Sequence, residues 1–133
     1  MSGTNQIDWS PGAPVIAESF QWVATFSPNG VGLFTAPGNG RILAIIGRPE
    51  ILESGAATVQ VVKAKSGTTI AAGTAVCPTF NVGVSATATV PQNLLQWGAT
   101  EALAVNAGDT IGFVTSGTIT ASAANISVYW TRQ

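Results

Sequence analysis

The sequence predicts an all-β domain, a jelly-roll or Greek-key sandwich of about eight to ten short antiparallel strands. Three observations support this class. Thr, Val and Ile, which favour strands, are abundant, whereas Leu, Glu and Lys, which build surface helices, are scarce. Gly and Pro recur at short intervals and divide the chain into short segments. Within those segments, apolar and polar residues alternate with the period of two that is typical of half-buried strands.

The first 18 residues differ from the rest, and they are predicted to form an extended N-terminal arm (1–18) before a single β-sandwich domain (19–133). Pro11 and Pro14 exclude a helix and disfavour a central strand. The segment nevertheless contains four large apolar residues: Ile7, Trp9, Val15 and Ile16. Two interpretations are open, because the arm could wrap over its own domain or dock onto a neighbouring subunit.

Strands are predicted in order at residues 20–26, 31–35, 41–48, 58–65, 75–80, 84–90, 110–115 (reached through a turn from 103–109), 118–122 and 126–131. In 20–26 the even positions are apolar, which places one face on a core. A turn is predicted at 27–30, where Asn29-Gly30 suits positive φ, and a second tight turn at 36–40. Residues 41–48 are apolar on both faces, which predicts a central strand that ends at Pro49.

The middle of the chain is less regular. Residues 50–55 favour one helical turn, and the alternation of 58–65 slips at Val61-Val62, which predicts a β-bulge. Residues 84–90 alternate cleanly and predict a strand. Residues 91–100 are predicted to be a loop, although they contain Leu94, Leu95 and Trp97, an apolar content that a solvated loop does not need.

Charge and hydropathy exclude several classes of protein. The chain has 5 Lys and Arg, 6 Asp and Glu, and a net charge of -1. So few charges predict a surface that neighbouring subunits cover. The absence of a cationic run excludes a nucleic-acid partner, and the longest apolar run, 42–46, is too short to cross a membrane. Residues 1–8 lack the features of a secretory signal, so synthesis in the cytoplasm is expected.

Catalysis, cofactors and metals are not predicted. The chain has no His and one Cys, which excludes a disulfide within the chain and the common nucleophile–base pairs. Glu50 and Glu53 are predicted to be solvated surface acids, and Asp109 to accept backbone N–H groups of its turn. Cys77 is predicted to be a buried, inert residue. Trp22 and Trp130 are predicted in the core, whereas Trp9 and Trp97 lie in segments that could make contacts.

The segments SGTTIAAGT (66–74), NAGDTIG (106–112) and VTSGTI (114–119), with a last strand that ends at Trp130, resemble small structural proteins of tailed bacteriophages. Among these, the chain most resembles jelly-roll capsid decoration (cement) proteins, over residues 33–131. The resemblance implies a homotrimer at the local three-fold positions of the capsid exterior. It also implies contact with the major capsid protein, stabilisation of the shell, and an N-terminal segment that reaches across capsomers.

Partner contacts are predicted in the arm and in the loop 91–100, because these segments carry large apolar groups without a strand to bury them. The predicted contact residues are Ile7, Trp9, Val15, Leu95 and Trp97. An alternative function stays open: a phage fibre-tip or lectin-like module that recognises a surface glycan or receptor. That function would require exposed aromatic and polar groups that converge on a cleft.

Overall fold

A computed structural model describes residues 14–96 and 103–132, and these residues form two five-stranded antiparallel sheets. The elements are β1 (Val15–Trp22), β2 (Gly32–Thr35), β3 (Gly40–Ile51), β4 (Ala57–Ala64), a 3₁₀ turn (Ile70–Ala72), β5 (Thr74–Ala75), β6 (Phe80–Asn81), β7 (Gln92–Leu95), β8 (Leu103–Val105), β9 (Thr110–Gly117) and β10 (Ala123–Arg132). The all-β prediction is confirmed.

The strand order is that of a jelly roll. Sheet A has the order β1-β10-β3-β7, and β8 also pairs with β3, along residues 40–42, whereas β7 pairs along residues 45–47. Sheet B has the order β2-β9-β4-β5, and β6 also pairs with β4. The chain passes between the sheets at six of the nine connections between described strands, so that the long paired strands of each sheet are distant in sequence. The predicted central strand is confirmed, since β3 lies between β10 and the β7–β8 edge.

The core lies between the two sheets, where alternate residues of each strand point inward. In β10, Ile126, Val128 and Trp130 are buried while their neighbours are half-buried. They face Ile111 and Phe113 of sheet B, which belong to the same core cluster. The placement of Trp22 and Trp130 in the core is confirmed, because each is 2% exposed.

A close approach explains Gly47 in the middle of β3. A Cβ at this position would lie 2.7 Å from the ring of Phe80, closer than real Cβ contacts come. The missing side chain therefore lets a fully buried phenylalanine from sheet B rest on the backbone of sheet A.

The predicted bulge in β4 is wrong. The register between β4 and β9 is uninterrupted from Ala57–Gly117 to Ala64–Thr110. Val61 and Val62 are both buried because sheet B is covered on both faces at this point. Val61 points into the core, whereas Val62 lies beneath the segment that follows the 3₁₀ turn, where a Cβ on Gly73 would come 3.0 Å from it.

For two neighbouring segments the predicted strand is a loop and the predicted loop contains a strand. Residues 84–90, predicted as a strand, form a loop that exposes Val84 and Val90. Residues 92–95, predicted as part of a loop, form β7, which pairs with Ile45–Gly47 of β3 and buries Leu94. The small Ala and Thr residues of 84–90 offer little apolar area, whereas β7 gains both a hydrogen-bonding edge and a place in the core.

Two strands of sheet A have other boundaries than predicted: β1 starts earlier and β3 ends later. β1 begins at Val15, and residues 15–18 pair with β10, so this part of the predicted arm belongs to the sandwich. Residues 1–13 lie outside the described residues, and the arm there stays a prediction. β3 continues through Pro49 to Ile51 instead of ending at the proline. Pro49 is accommodated at a register shift against β10, a usual place for proline in a strand. The predicted helical turn at 50–55 is therefore wrong.

Candidate functional site

Four loops gather at one end of the sandwich. The pairs Trp22–Ala124 and Ala123–Ile51 bring the ends of β1 and β3 together in sheet A, and Ala57–Gly117 marks the same end of sheet B. The loops at this end are 23–31, 52–56, 82–91 and 118–122.

This end carries nearly all of the large apolar side chains that the described residues expose. The exposed side chains at this end are Val23 (65%), Phe26 (44%), Ile51 (57%), Val84 (64%) and Val90 (50%). We call these five residues and the loops that carry them the apolar end. Exposed apolar side chains that are concentrated at one end of a domain are typical of an interaction site.

A buried carboxylate organises the apolar end. Glu53 is 5% exposed, and its Oε2 accepts three consecutive backbone N–H groups, those of Thr120 (3.0 Å), Ala121 (3.0 Å) and Ser122 (2.7 Å). Successive N–H groups that converge in this way form a nest for an anion. The prediction that Glu53 is a solvated surface acid is wrong, because the fold supplies a substitute for water from a distant loop.

The bonds around Glu53 connect all four loops. Its own N–H donates to Val82 O (2.8 Å), and Thr25 N–H donates to the carbonyl of Thr120 (2.9 Å) within the nest segment. The indole Nε1 of Trp22 donates to Ser122 Oγ (3.3 Å), which connects the nest to the core. The apolar end is thus held by one network rather than by four independent loops.

The network also sets the charge state of Glu53. Burial alone would raise the pKa of the carboxyl, but the side-chain hydrogen bond from Ser122 and the backbone hydrogen bonds from Ala121, Ser122 and Thr120 outweigh it, and the net pKa is lowered. The group is therefore an anion at neutral pH, and its charge is balanced by the N–H dipoles.

Two residues of the apolar end have a strained backbone. Thr25 (φ 72°) and Thr89 (φ 65°) lie in the left-handed region, which β-branched residues rarely adopt. Their N–H groups donate to Thr120 O (2.9 Å) and Pro49 O (2.6 Å). Each threonine directly precedes an exposed apolar residue, Phe26 or Val90. Strain of this kind persists only where the surrounding contacts fix the conformation, so these two side chains are held in place.

Charge is distributed unevenly along the domain. At the apolar end, Arg48 and Glu50 form an ion pair with each other. The other four cations of the chain, Arg41, Lys63, Lys65 and Arg132, lie toward the opposite end, which we call the cationic end. There, a half-open cavity of about 190 Å³ is lined by Lys63, Lys65, Thr68, Ala72, Gly73 and Thr74.

The predicted contact residues do not meet in one place. Val15 is 46% exposed on β1 near the cationic end, and Leu95 is half-buried on β7, where it packs against the core. β1 and β7 lie on opposite edges of sheet A, with β10 and β3 between them. Ile7, Trp9 and Trp97 lie outside the described residues. The contact role of all five stays a prediction.

Of the predictions about individual side chains, that for Asp109 is confirmed, and that for Cys77 is confirmed in part, since the residue is only partly buried. The Oδ2 of Asp109 accepts the N–H of Asn106 (2.9 Å) across a turn in which Gly108 has a φ of +90°. Cys77 is partly buried against the core, and burial raises the pKa of its thiol to about 11 although a hydrogen bond with the backbone of Val61 lowers it slightly.

Glu53 is the residue at the apolar end whose role in holding the loops the sequence reasoning missed. The backbone N–H groups that bind its carboxylate lie 67 to 69 positions away in the sequence, so no local spacing of residues predicts them. The weak signal available was the run of small residues at 120–122, which can curl so that successive N–H groups point to one side.

The described part of the chain contains no cluster of side chains that could bind a metal ion. Within residues 14–96 and 103–132, no group of three or more His, Cys, Asp or Glu could hold a metal ion. The same residues contain no helix that is long and apolar enough to span a membrane. What the described surface offers is an apolar area on one end and a cationic area on the other.

The comparisons with known proteins concern the fold. No protein-family model and no curated protein sequence matches the chain. Among solved structures, the chain is similar to one in the capsid of Ralstonia phage GP4, with a TM-score of 0.59 and 15% identity, over 92% of this chain and 86% of that one. It is also similar to a chain of the cyanophage Pam1 capsid asymmetric unit, with a TM-score of 0.52 and 11% identity, over 99% of this chain and 94% of that one.

Proposed function

We propose that this chain is a structural subunit of a bacteriophage capsid, and that it acts as a decoration (cement) protein. In this role it binds the outer surface of the shell as a homotrimer, contacts the major capsid protein and stabilises the particle. The observation that carries the proposal is the fold: both structural neighbours are chains of phage capsids, and the similarity extends over 92% and 99% of this chain.

The surface is consistent with a subunit that works in an assembly. The chain has 8% charged residues, where a free-standing domain usually places charge on about a quarter to a third of its surface positions. The exposed apolar side chains are also concentrated at one end rather than scattered. A surface of this kind is favourable when neighbouring subunits cover it.

The carboxylates support a structural role over a catalytic one. Glu53 and Asp109 are both buried, and Glu53 Oε2 and Asp109 Oδ2 accept backbone N–H groups within the fold. A catalytic acid or base needs an oxygen that reaches a substrate. These two groups hold loops instead.

The shell contact is proposed to involve the arm and the segment around residue 97, through Ile7, Trp9, Val15, Leu95 and Trp97. Of these, Val15 presents an exposed side chain on the edge strand β1. Because β1 itself starts at Val15, an arm formed by residues 1–13 would leave the domain at the cationic end.

The test uses shells that lack this protein. The purified full-length chain is added to such shells, and both its occupancy and the thermal stability of the shells are measured. We expect saturable binding that raises the temperature at which the shells disassemble. Failure to bind under any salt condition would refute the decoration role.

Two variants then locate the contact. Deletion of residues 2–13, which leaves β1 intact, and Trp97→Ala are each expected to lower occupancy while the unfolding midpoint of the free protein stays unchanged. Because the contact residues are apolar, occupancy should depend weakly on salt. Unchanged occupancy in both variants would contradict this contact.

A further inference from the structure

We infer that the apolar end is the surface through which copies of this chain associate with one another. This inference rests on the homotrimer of the proposed function, and it assigns the subunit contact to Val23, Phe26, Ile51, Val84 and Val90. The contact is distinct from the arm residues proposed to bind the shell.

The area suits a contact between proteins. The five side chains expose roughly 400–500 Å² of apolar surface. A standard interface covers about 800 Å² per partner, of which a little over half is apolar. The apolar end therefore supplies about the apolar area of one complete interface, and the polar backbone and Thr groups of the same loops would form its rim.

The charge distribution favours a second copy over a charged partner. Four cations of each copy, the exposed Arg41, Lys65 and Arg132 and the half-buried Lys63, lie toward the opposite end, so association through the apolar ends keeps these like charges as far apart as the domain allows. Association through the cationic ends would bring them together. The exposed charges near the apolar end, Arg48 and Glu50, already neutralise each other.

The apolar end is also built to keep its shape. Glu53 connects the four loops through its nest and its own N–H. The strained Thr25 and Thr89, which directly precede Phe26 and Val90, are held by their own backbone hydrogen bonds. A surface that is already ordered loses less conformational entropy when it binds, which strengthens association without further contacts.

The experiment is analytical ultracentrifugation of the full-length chain over the micromolar range, compared with two variants of the apolar end, Val84→Glu and Val23→Glu. Both positions are more than half exposed, so neither substitution removes a core contact. A carboxylate in an apolar interface is expected to raise the dissociation constant at least about tenfold. Thr69→Glu is the matched control, since it places the same charge on an exposed loop at the cationic end.

The result expected is association of the wild type and of Thr69→Glu, and dissociation of both apolar-end variants, with all four proteins equally folded by circular dichroism. If one apolar-end variant fails to fold, the other carries the comparison, since they lie on different loops. A wild type that stays monomeric, or apolar-end variants that associate like the wild type, would overturn the inference.

Binding to shells is measured separately, so the two proposals can fail independently. A monomeric wild type that still binds shells, and loses that binding in Val84→Glu, would identify the shell as the occupant of the apolar end and refute self-association. A chain that associates but does not bind shells would leave this inference standing and refute the decoration role.

Discussion

Glu53→Gln is the substitution that most directly tests the network at the apolar end. Glutamine has nearly the same shape but carries no charge, so the three N–H groups of the nest lose their anionic acceptor. A hydrogen bond to a charged group contributes about 1.5–3 kcal/mol, compared with about 0.5–1.5 kcal/mol for a neutral pair. Over three bonds, and with a reduction for the partial exposure of the nest, the free energy of unfolding is expected to fall by about 2–3 kcal/mol. A domain of this size has a total stability of roughly 7–20 kcal/mol.

The assay is urea denaturation at a series of pH values. The native pKa of Glu53 is lowered from its ordinary value of 4.5, because the nest's hydrogen bonds outweigh the effect of burial. Between the native pKa of Glu53 and its ordinary value of 4.5, this carboxyl binds more protons in the unfolded chain than in the native one, so the free energy of unfolding rises with pH. The contribution of Glu53 is therefore complete above about pH 4.5 and is lost as the pH falls through the native value. The difference between wild type and variant should shrink in the same window.

Glu50→Gln is the matched control. Glu50 lies three residues earlier and is exposed, and its ion pair within residues 14–96 and 103–132 is with Arg48, so its loss should cost at most about 0.5–1 kcal/mol. A Glu53→Gln protein as stable as the wild type at pH 7, or a difference that stays constant down to pH 3, would refute the account of the nest.

Two further outcomes follow from the backbone and from the thiol. Gly117→Ala should destabilise the domain by about 2–4 kcal/mol in urea denaturation, because Gly117 has a φ of +84° and its Cβ would collide with Ala56 O, whereas Gly38→Ala, with open space around it, should be nearly neutral. Cys77 should react with a disulfide reagent about a hundredfold more slowly in the native protein than in denaturant, because burial raises its pKa from 9.0 to about 11 and so lowers the thiolate fraction. Equal rates in the two states would show that the thiol is accessible and ionises normally.

The parts of the fold that the sequence predicts are those in which one strand buries a regular face. In β10 the alternation of Ile126, Val128 and Trp130 is visible in the sequence because each buried residue is followed by a partly exposed one. The apolar run of β3 likewise predicts its central position. In both cases a local pattern carries the information, since burial is set by the two faces of the sheet.

The errors arise where a distant segment decides the outcome. Residues 84–90 have the right alternation but no edge to pair with, whereas 92–95 gain the edge of β3. Val62 is buried by a turn ten residues later rather than by a bulge. Glu53 is buried because a loop nearly 70 residues away supplies its N–H groups. Neither the alternation of apolar and polar residues nor the amino-acid composition can predict these distant partners.

The apolar end has the same origin. Its exposed residues come from loops that are far apart in the sequence, and each alone would be an ordinary exposed valine, isoleucine or phenylalanine. Only the jelly-roll connections bring them to one end. The low charge of the sequence predicts a surface that neighbouring subunits cover, but no pattern in the sequence indicates where on the domain that surface would lie.

The position of β10 in sheet A has a consequence for the order of folding. β10 pairs with β1 on one side and with β3 on the other, so the first strand of the described chain has its place in the sheet only through the last one. During synthesis, residues 15–22 therefore wait without a sheet partner until residues 123–132 have left the ribosome. Contacts of such long sequence separation make folding slow, and they expose strand edges in the meantime. Sheet A can therefore take its full strand order only once β10 is available, which makes its assembly a late step in folding.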